Sequence, residues 1–199
     1  MQLIDLIRRA AQRFKRVRPG AEDKTALGVL YFTTALQYHV CARYAAFAGF
    51  MPVCGNLFHH AVEMYLKGYL CDSWNEHERR SLGHNLKKIW RKVKAIDSDP
   101  ILNRFDDLVV ALQRWEEIRY PEKIAREGMI GYIHFSKPPV SKKPSSPRLS
   151  EPRYEVVVDE LDALSKIIFE KRMNPKAFIG GLKSDAQDFL KRANKSVMW

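Results

Sequence analysis

The sequence predicts an all-α protein: an up-and-down bundle of four to five helices with a basic Pro/Ser-rich insertion and a possible small β-hairpin. Two observations support this class. Apolar residues recur at intervals of three and four over most of residues 23–120, which is the helical period. Apolar residues also make up 46% of the 199-residue chain and charged residues 29%, a composition that can fill one globular core.

The first two helices are predicted to form an antiparallel hairpin. An apolar stripe runs along residues 23–47, after which Gly49 marks the helix end and Pro52 suits the first turn of a second helix at 53–73. A connection this short makes the two helices antiparallel neighbours. The stripe that the helical period directs inward comprises Leu27, Leu30, Tyr31, Thr34, Tyr38, Cys41 and Ala45.

Two further helices are predicted before the chain changes character. The third covers residues 84–95 and the fourth covers residues 99–120, both with apolar residues at helical spacing. Pro121 ends the fourth helix, because proline disfavours helical backbone in the residue before it.

Residues 128–153 predict a long loop, because prolines, serines and basic residues dominate them. Alternating stretches at 132–135 and 154–158 flank the loop and could pair as a small hairpin. A fifth helix is predicted at 159–173. The whole chain, 1–199, is therefore interpreted as one domain with a core at about 25–173 and a C-terminal extension, 174–199, that contains a short helix at 183–193.

The formal net charge of +11 favours a polyanionic partner, which could be RNA, DNA, a nucleotide or an acidic protein. Much of this charge lies in three basic segments: the first twenty residues, the Pro-rich middle and the C-terminal end. This distribution predicts a basic rim or basic tails around a more balanced body.

Cysteine content and hydropathy predict a cytoplasmic protein with no membrane association. Cys41, Cys54 and Cys71 form no C-x2-C pair, so we expect reduced, buried thiols. No apolar run approaches the length of a membrane span.

The second predicted helix carries a polar stripe of Asn56, His59 or His60, Glu63 and Lys67. Residues four apart share a helix face, so this stripe is either a solvated face with a Glu63–Lys67 ion pair or an inward polar cluster. The histidines and Glu63 complete no zinc motif, which needs three or four ligands, and no glycine-rich phosphate loop is present. The sequence therefore predicts neither a metal site nor a cofactor.

Three short motifs in the chain resemble elements of a known family of helical domains. Residues 60–70, HAVEMYLKGYL, resemble the second helix of HEPN domains with its Glu and Lys. Leu82-Gly-His84-Asn-Leu86 resembles the start of the third helix, and Arg119-Tyr-Pro121 resembles the end of the fourth. The order and spacing agree over about residues 25–173.

This resemblance implies a helical bundle, a homodimer, and handling of nucleotides or nucleic acid, with RNA favoured. It also implies a role in a defence or toxin–antitoxin-type system, with a possible partner protein such as a nucleotidyltransferase. We expect Glu63, Lys67, His84 and Arg119 to converge in a polar cleft that binds the ligand, with Tyr120 at its rim.

Two other functions stay open. Some HEPN domains are metal-independent ribonucleases that use an Arg and a His four to six residues apart, and Arg79 and His84 have that spacing. Histidine can transfer protons near neutral pH and arginine binds phosphate, but this pair precedes the third helix, and Arg79 and Arg80 are otherwise expected as surface charge. The other alternative is a non-catalytic protein-interaction module, whose polar cluster only orients helices.

Overall fold

The structure is a computed structural model that describes residues 23–136 and 152–192, together with residues 5, 7–9 and 11–12, which are helical. The described chain is mostly helical with one two-stranded sheet, which confirms the predicted all-α class. Most of the predicted basic N-terminal segment, the middle of the Pro-rich insertion and the last seven residues lie outside this description.

The elements follow one another in a simple order. They are α1 (Lys24–Phe47), α2 (Val53–Leu70), α3 (Glu76–Ser81), α4 (Leu86–Ile96), a 3₁₀-helix (Pro100–Phe105), α5 (Asp106–Trp115), a second 3₁₀-helix (Glu116–Ile118), α6 (Pro121–Glu127), β1 (Ile130–His134), β2 (Arg153–Val157), α7 (Val158–Glu170), α8 (Pro175–Ile179) and α9 (Ser184–Arg192).

Helix α2 lies at the centre of the bundle. Helices α1, α4, α5 and α7 all pack on it, so nearly every residue from Cys54 to Leu70 is at least partly buried. Aromatic rings fill the space where α1, α2 and α7 meet: Phe32 lies 5.9 Å from Tyr65 and 4.9 Å from Phe169, measured between ring centroids. Functional side chains on α2 are consequently held by packing on several sides.

Gly55 allows α5 to approach α2 closely. A Cβ at this position would lie only 2.1 Å from the indole of Trp115, which is fully buried. The same indole donates through Nε1 to the carbonyl of Glu155, 3.2 Å away, and so joins α5 to the sheet. A residue without a side chain is required here because the ring occupies that space.

The two predicted strands pair, but the prediction of a hairpin is wrong. Strands β1 and β2 run parallel, with Ile130 opposite Arg153 and His134 opposite Val157. Parallel strands need a connection of about a dozen residues or more, and residues 135–152 separate these two strands in the sequence.

The fourth predicted helix is segmented where a continuous one was expected. Its ends are 3₁₀-helices, and only Asp106–Trp115 is α-helical. Tyr120 adopts an extended conformation before Pro121, in agreement with the restriction that proline imposes. Helix α3 was not predicted, although Asn75 and Glu78 form a reciprocal capping box at its start.

The buried face of α1 differs from the predicted one. Tyr38 and Cys41 are exposed, while His39 and Arg43 are fully buried. Helix α1 is apolar on several sides, so its period alone did not identify the inward face. Cys41 is accordingly an exposed thiol, in contrast to the expectation, whereas Cys54 and Cys71 are buried, and no disulfide joins any two of the three described cysteines.

Within the described ranges, every helix is too short or too polar to cross a membrane.

Candidate functional site

A buried carboxylate on α2 is the centre of the candidate site. The side chain of Glu63 has no solvent exposure and accepts from Lys67 Nζ at 2.7 Å. His84 approaches from outside the helix, with Nδ1 at 2.9 Å from Oε2 and 3.1 Å from Oε1 of Glu63. The structure thus brings together three of the residues that the sequence analysis selected as ligand-binding.

Local backbone geometry positions these three groups. Glu63 and Lys67 are four residues apart, so they share one face of α2. His84 lies between Gly83, whose φ of 55° is in the left-handed region, and Asn85, whose side chain caps α4 by accepting from the amide of Lys88. The chain therefore turns sharply at Gly83 and directs His84 toward α2.

A second set of contacts leads from Glu63 toward solvent. His59 Nε2 lies 3.8 Å from Glu63 and 3.7 Å from Glu116, and Glu116 lies 3.4 Å from Arg119. Arg119 is 40% exposed and stacks over Tyr120, 5.7 Å from its ring centroid. In the part of the chain that the structure describes, no hydrogen bond or ion pair joins Arg119 or Tyr120 directly to Glu63, Lys67 or His84.

The electrostatic state of the cluster follows from its partners. Burial alone would raise the pKa of Glu63, but the hydrogen-bonding groups of His60, Lys67 and His84 outweigh burial and lower this pKa to about 2. Burial lowers the pKa of His59, so His59 is neutral at pH 7. Its Nδ1 donates to the carbonyl of Leu112 at 3.2 Å, which leaves the lone pair of Nε2 facing the two carboxylates.

His60 adds a third imidazole to the cluster. Its Nδ1 lies 3.7 Å from Oε2 of Glu63, and its ring packs against that of Tyr38. The ligand atoms of His60, Glu63 and His84 all lie within 4.8 Å of one another, so these side chains have the arrangement of a metal-ligand set. The sequence analysis considered His60 and Glu63 without His84, and therefore did not predict this set.

Arg79 is not the surface charge that was expected. Only 1% of the residue is exposed, and its guanidinium donates to the carbonyl of Trp74. It also hydrogen-bonds to the hydroxyl of Tyr31, whose pKa burial raises. A short helix, α3, packs Arg79 inward while Arg80 stays exposed and pairs with Glu76. The Arg79–His84 pair therefore does not present two groups on one open surface.

A second buried polar network was missed from the sequence. Asp162 of α7 contacts Nε2 of His39 at 2.7 Å and also accepts from Arg43, and all three side chains are fully buried. Ser165 lies 3.3 Å from Nδ1 of His39. This network fastens α1 to α7, and its complete burial gives it a structural role.

The basic face of α4 was also missed. Residues 79–96 contain seven Arg and Lys residues and no acidic residue. Four of them are exposed on α4, and none of these makes an ion pair with any residue that the structure describes: they are Lys87, Lys88, Arg91 and Lys92. The signal was the absence of Asp and Glu between Glu78 and Asp97, which is visible in the sequence.

No protein-family model matches the chain, and comparison with curated proteins and with solved structures found no match.

Proposed function

We propose that this protein is a HEPN-like nucleic-acid-binding protein that binds RNA through the exposed face of α4, next to the Glu63–Lys67–His84 cluster. One observation carries the proposal: four cations lie together on α4 without acidic partners. A surface of this kind attracts phosphates and releases their counterions on binding. The motifs that resemble HEPN domains favour the same ligand class.

The position of two of these cations works against helix stability. Lys87 and Lys88 lie in the first turn of α4, which contains no acidic residue. The N-terminus of a helix has positive partial charge, so each cation there costs roughly 0.3–1 kcal/mol when exposed. Such local violations are expected at functional surfaces, because a bound phosphate relieves them.

A groove beside the basic face supports a nucleotide-sized contact. It has a volume of about 400 Å³ between α4 and α5. Its lining consists of the apolar residues Trp90, Val109 and Val110, the cations Lys87 and Arg91, and the Lys94–Asp106 ion pair. Apolar surface flanked by cations suits a base or ribose placed next to its phosphate. A free nucleotide would use the same chemistry, and a longer RNA would extend along the helix.

Fluorescence anisotropy with a labelled single-stranded oligoribonucleotide tests the proposal. The variant K87Q/K88Q is compared with K176Q/K183Q, which removes the same charge from exposed lysines in the C-terminal part of the chain. We expect K87Q/K88Q to bind more weakly and to reduce the slope of log K against log salt by about 1.4, since each phosphate contact on a single strand contributes about 0.7. The control retains the wild-type slope.

Two outcomes contradict the proposal. Equal losses in both double variants would assign binding to net charge, and RNA binding that is insensitive to salt would exclude an electrostatic interface. Absence of binding by the wild type would favour the non-catalytic protein-interaction module, in which the polar cluster orients helices.

Catalysis is a second candidate function, favoured by His84. The carboxylate of Glu63 accepts a hydrogen bond from Nδ1 of His84, and the side chain of His84 is 55% exposed. Histidines that a carboxylate orients for proton transfer have this arrangement. Incubation with RNA in EDTA tests a metal-independent ribonuclease. Cleavage that disappears in His84→Gln would support it, whereas no cleavage, or equal cleavage by the variant, would reject it.

We also propose that the protein forms a homodimer in the cytoplasm. Its biological role would lie in a defence or toxin–antitoxin-type system, with a partner protein such as a nucleotidyltransferase. Exposed aromatic residues around the α1–α2 turn support self-association, because Tyr44, Phe47 and Phe50 are between 46% and 63% exposed. Sedimentation analysis of wild type and Phe50→Glu tests the dimer: a monomeric wild type would reject it. Three described cysteines without a disulfide are consistent with a reducing compartment.

A further inference from the structure

We propose that His60, Glu63 and His84 form a binding site for one divalent transition-metal ion of the Zn²⁺ class. The sequence pattern alone does not give this set of three ligands, because they come from two separate elements. Two ligands lie on α2 and the third precedes α4. The inference does not depend on RNA binding and can be correct if the proposed function is wrong.

The atoms that would bind the ion already face one another. Oε2 of Glu63 lies 2.9 Å from Nδ1 of His84 and 3.7 Å from Nδ1 of His60, and one ligand atom from each of the three residues lies within 4.8 Å of the other two. In a tetrahedral zinc site with bonds of about 2.0–2.1 Å, ligand atoms are separated by about 3.3 Å. Small movements of His84, which is 55% exposed, and of His60, which is 19% exposed, can produce that spacing.

The carboxylate is oriented for this task. Lys67 holds Oε1 at 2.7 Å, and Oε2 is the oxygen that lies nearer to His84 and that contacts His60. Groups that hydrogen-bond the non-ligating atom of a metal ligand fix its orientation and tune its affinity. Binding would require the tautomers of His60 and His84 that carry the proton on Nε2, because both would bind through Nδ1.

An independent observation is that two buried acceptor atoms beside this cluster have no hydrogen-bond donor among the described residues. Nε2 of His59 and Oε2 of Glu116 are buried and make no hydrogen bond with any described residue. They lie 3.7 Å apart, and Nε2 of His59 lies 3.8 Å from Oε2 of Glu63. The lone pair of His59 Nε2 and the carboxylate oxygens of Glu63 and Glu116 repel one another, and a cation bound to Oε2 of Glu63 would reduce that repulsion.

The ligand set predicts an open site. Two histidines and one glutamate are the protein ligands of several catalytic zinc centres, which keep a fourth position for water or substrate. His84 is partly exposed, so that position has access to solvent and lies near the basic face of α4. An anion such as a phosphate could occupy it.

Calorimetric titration of the full chain with Zn²⁺ tests the site. The protein carries no affinity tag and is first freed of metal with EDTA. We expect one ion per chain, and a rise in melting temperature because the ion joins α2 to the α3–α4 connection. Co²⁺ is the spectroscopic probe, since a tetrahedral site gives intense visible absorption.

Three variants distinguish the site from adventitious binding. His60→Gln and His84→Gln should each weaken Zn²⁺ affinity by more than about 100-fold. Losing a residue that only hydrogen-bonds to a metal ligand costs about 10–100-fold in affinity, and losing the ligand itself costs more. His77→Gln removes an exposed histidine outside the cluster and should leave affinity unchanged.

Circular dichroism of the metal-free variants shows whether they fold. Folded His60→Gln or His84→Gln protein with wild-type affinity would overturn the proposal, as would a wild type that binds less than one ion per chain. Octahedral Co²⁺ spectra would also overturn the tetrahedral assignment. RNA binding has no part in these readouts, so their outcome is separate from that of the proposed function.

Discussion

Substitution of Glu63 by Gln should sharply lower the free energy of unfolding in metal-free buffer. The change keeps the shape of the side chain and removes its charge. Lys67, whose side chain is 11% exposed, would then remain in the interior without an anionic partner. Removal of one member of a buried pair is costly because the other charge stays desolvated.

Two estimates of the magnitude agree. The pKa of Glu63 falls from its ordinary 4.5 to about 2, which corresponds to about 3 kcal/mol of stabilisation of the charged form. Breaking a buried ion pair typically costs about 3–5 kcal/mol, and the partial exposure of Lys67 favours the lower end. For a chain of this size, 3 kcal/mol lowers the melting temperature by about 6–12 °C.

Chemical denaturation followed by circular dichroism measures the effect. Glu117→Gln is the matched control, because Glu117 forms an ion pair with Lys123 but is 50% exposed. The control should lose less than about 1 kcal/mol, as exposed pairs do. The double variant Glu63→Gln/Lys67→Met should recover much of the lost stability, because neither charge then remains buried.

The reasoning is refuted if Glu63→Gln loses no more stability than Glu117→Gln. It is also refuted if the double variant is less stable than the sum of the two single changes predicts. Either result would show that Glu63 and Lys67 do not form a desolvated ion pair in solution.

Three further results are expected. In EDTA, the stability that the Glu63 carboxylate provides is fully present above about pH 4.5 and is lost as the pH falls through about 2. The free energies of unfolding of wild type and Glu63→Gln should therefore converge over that pH range in acid-denaturation curves. Gly55→Ala should lower the stability by about 1–3 kcal/mol in thermal melts, because its Cβ would overlap the indole of Trp115. Gly28→Ala should cause no such loss, because its Cβ would meet only the flexible end of Met173 at 3.2 Å. Equal losses in the two variants would contradict this packing. Asp162→Asn should cost about 3–5 kcal/mol in urea because Arg43 stays buried, and a loss below 1 kcal/mol would contradict the network.

The helical architecture was predictable because apolar periodicity and caps are local signals. The hairpin of α1 and α2, the start of α4 and the strand pairing all follow from such signals. Strand direction did not, since it depends on the path of a long connection. The inward face of α1 could not be predicted from local signals either. His39 and Arg43 are buried because they contact Asp162, which lies more than a hundred residues away in the sequence.

The candidate site was predictable in part for the same reason. Polar residues in an apolar helical setting identified Glu63 and Lys67, and the motif at His84 identified its partner. Arg79 was misjudged because its burial depends on how the short helix α3 packs. His59 and His60 could be placed on α2, but their distances to Glu63 are properties of the folded structure.

Lysine footprinting with and without RNA tests the central claim most directly. Acetylation of the native protein, read by mass spectrometry, reports the accessibility of each exposed lysine. RNA at saturating concentration should protect Lys87, Lys88 and Lys92 on α4 while Lys176 and Lys183 react as in the free protein. Unchanged acetylation of the α4 lysines in the RNA complex would contradict the account.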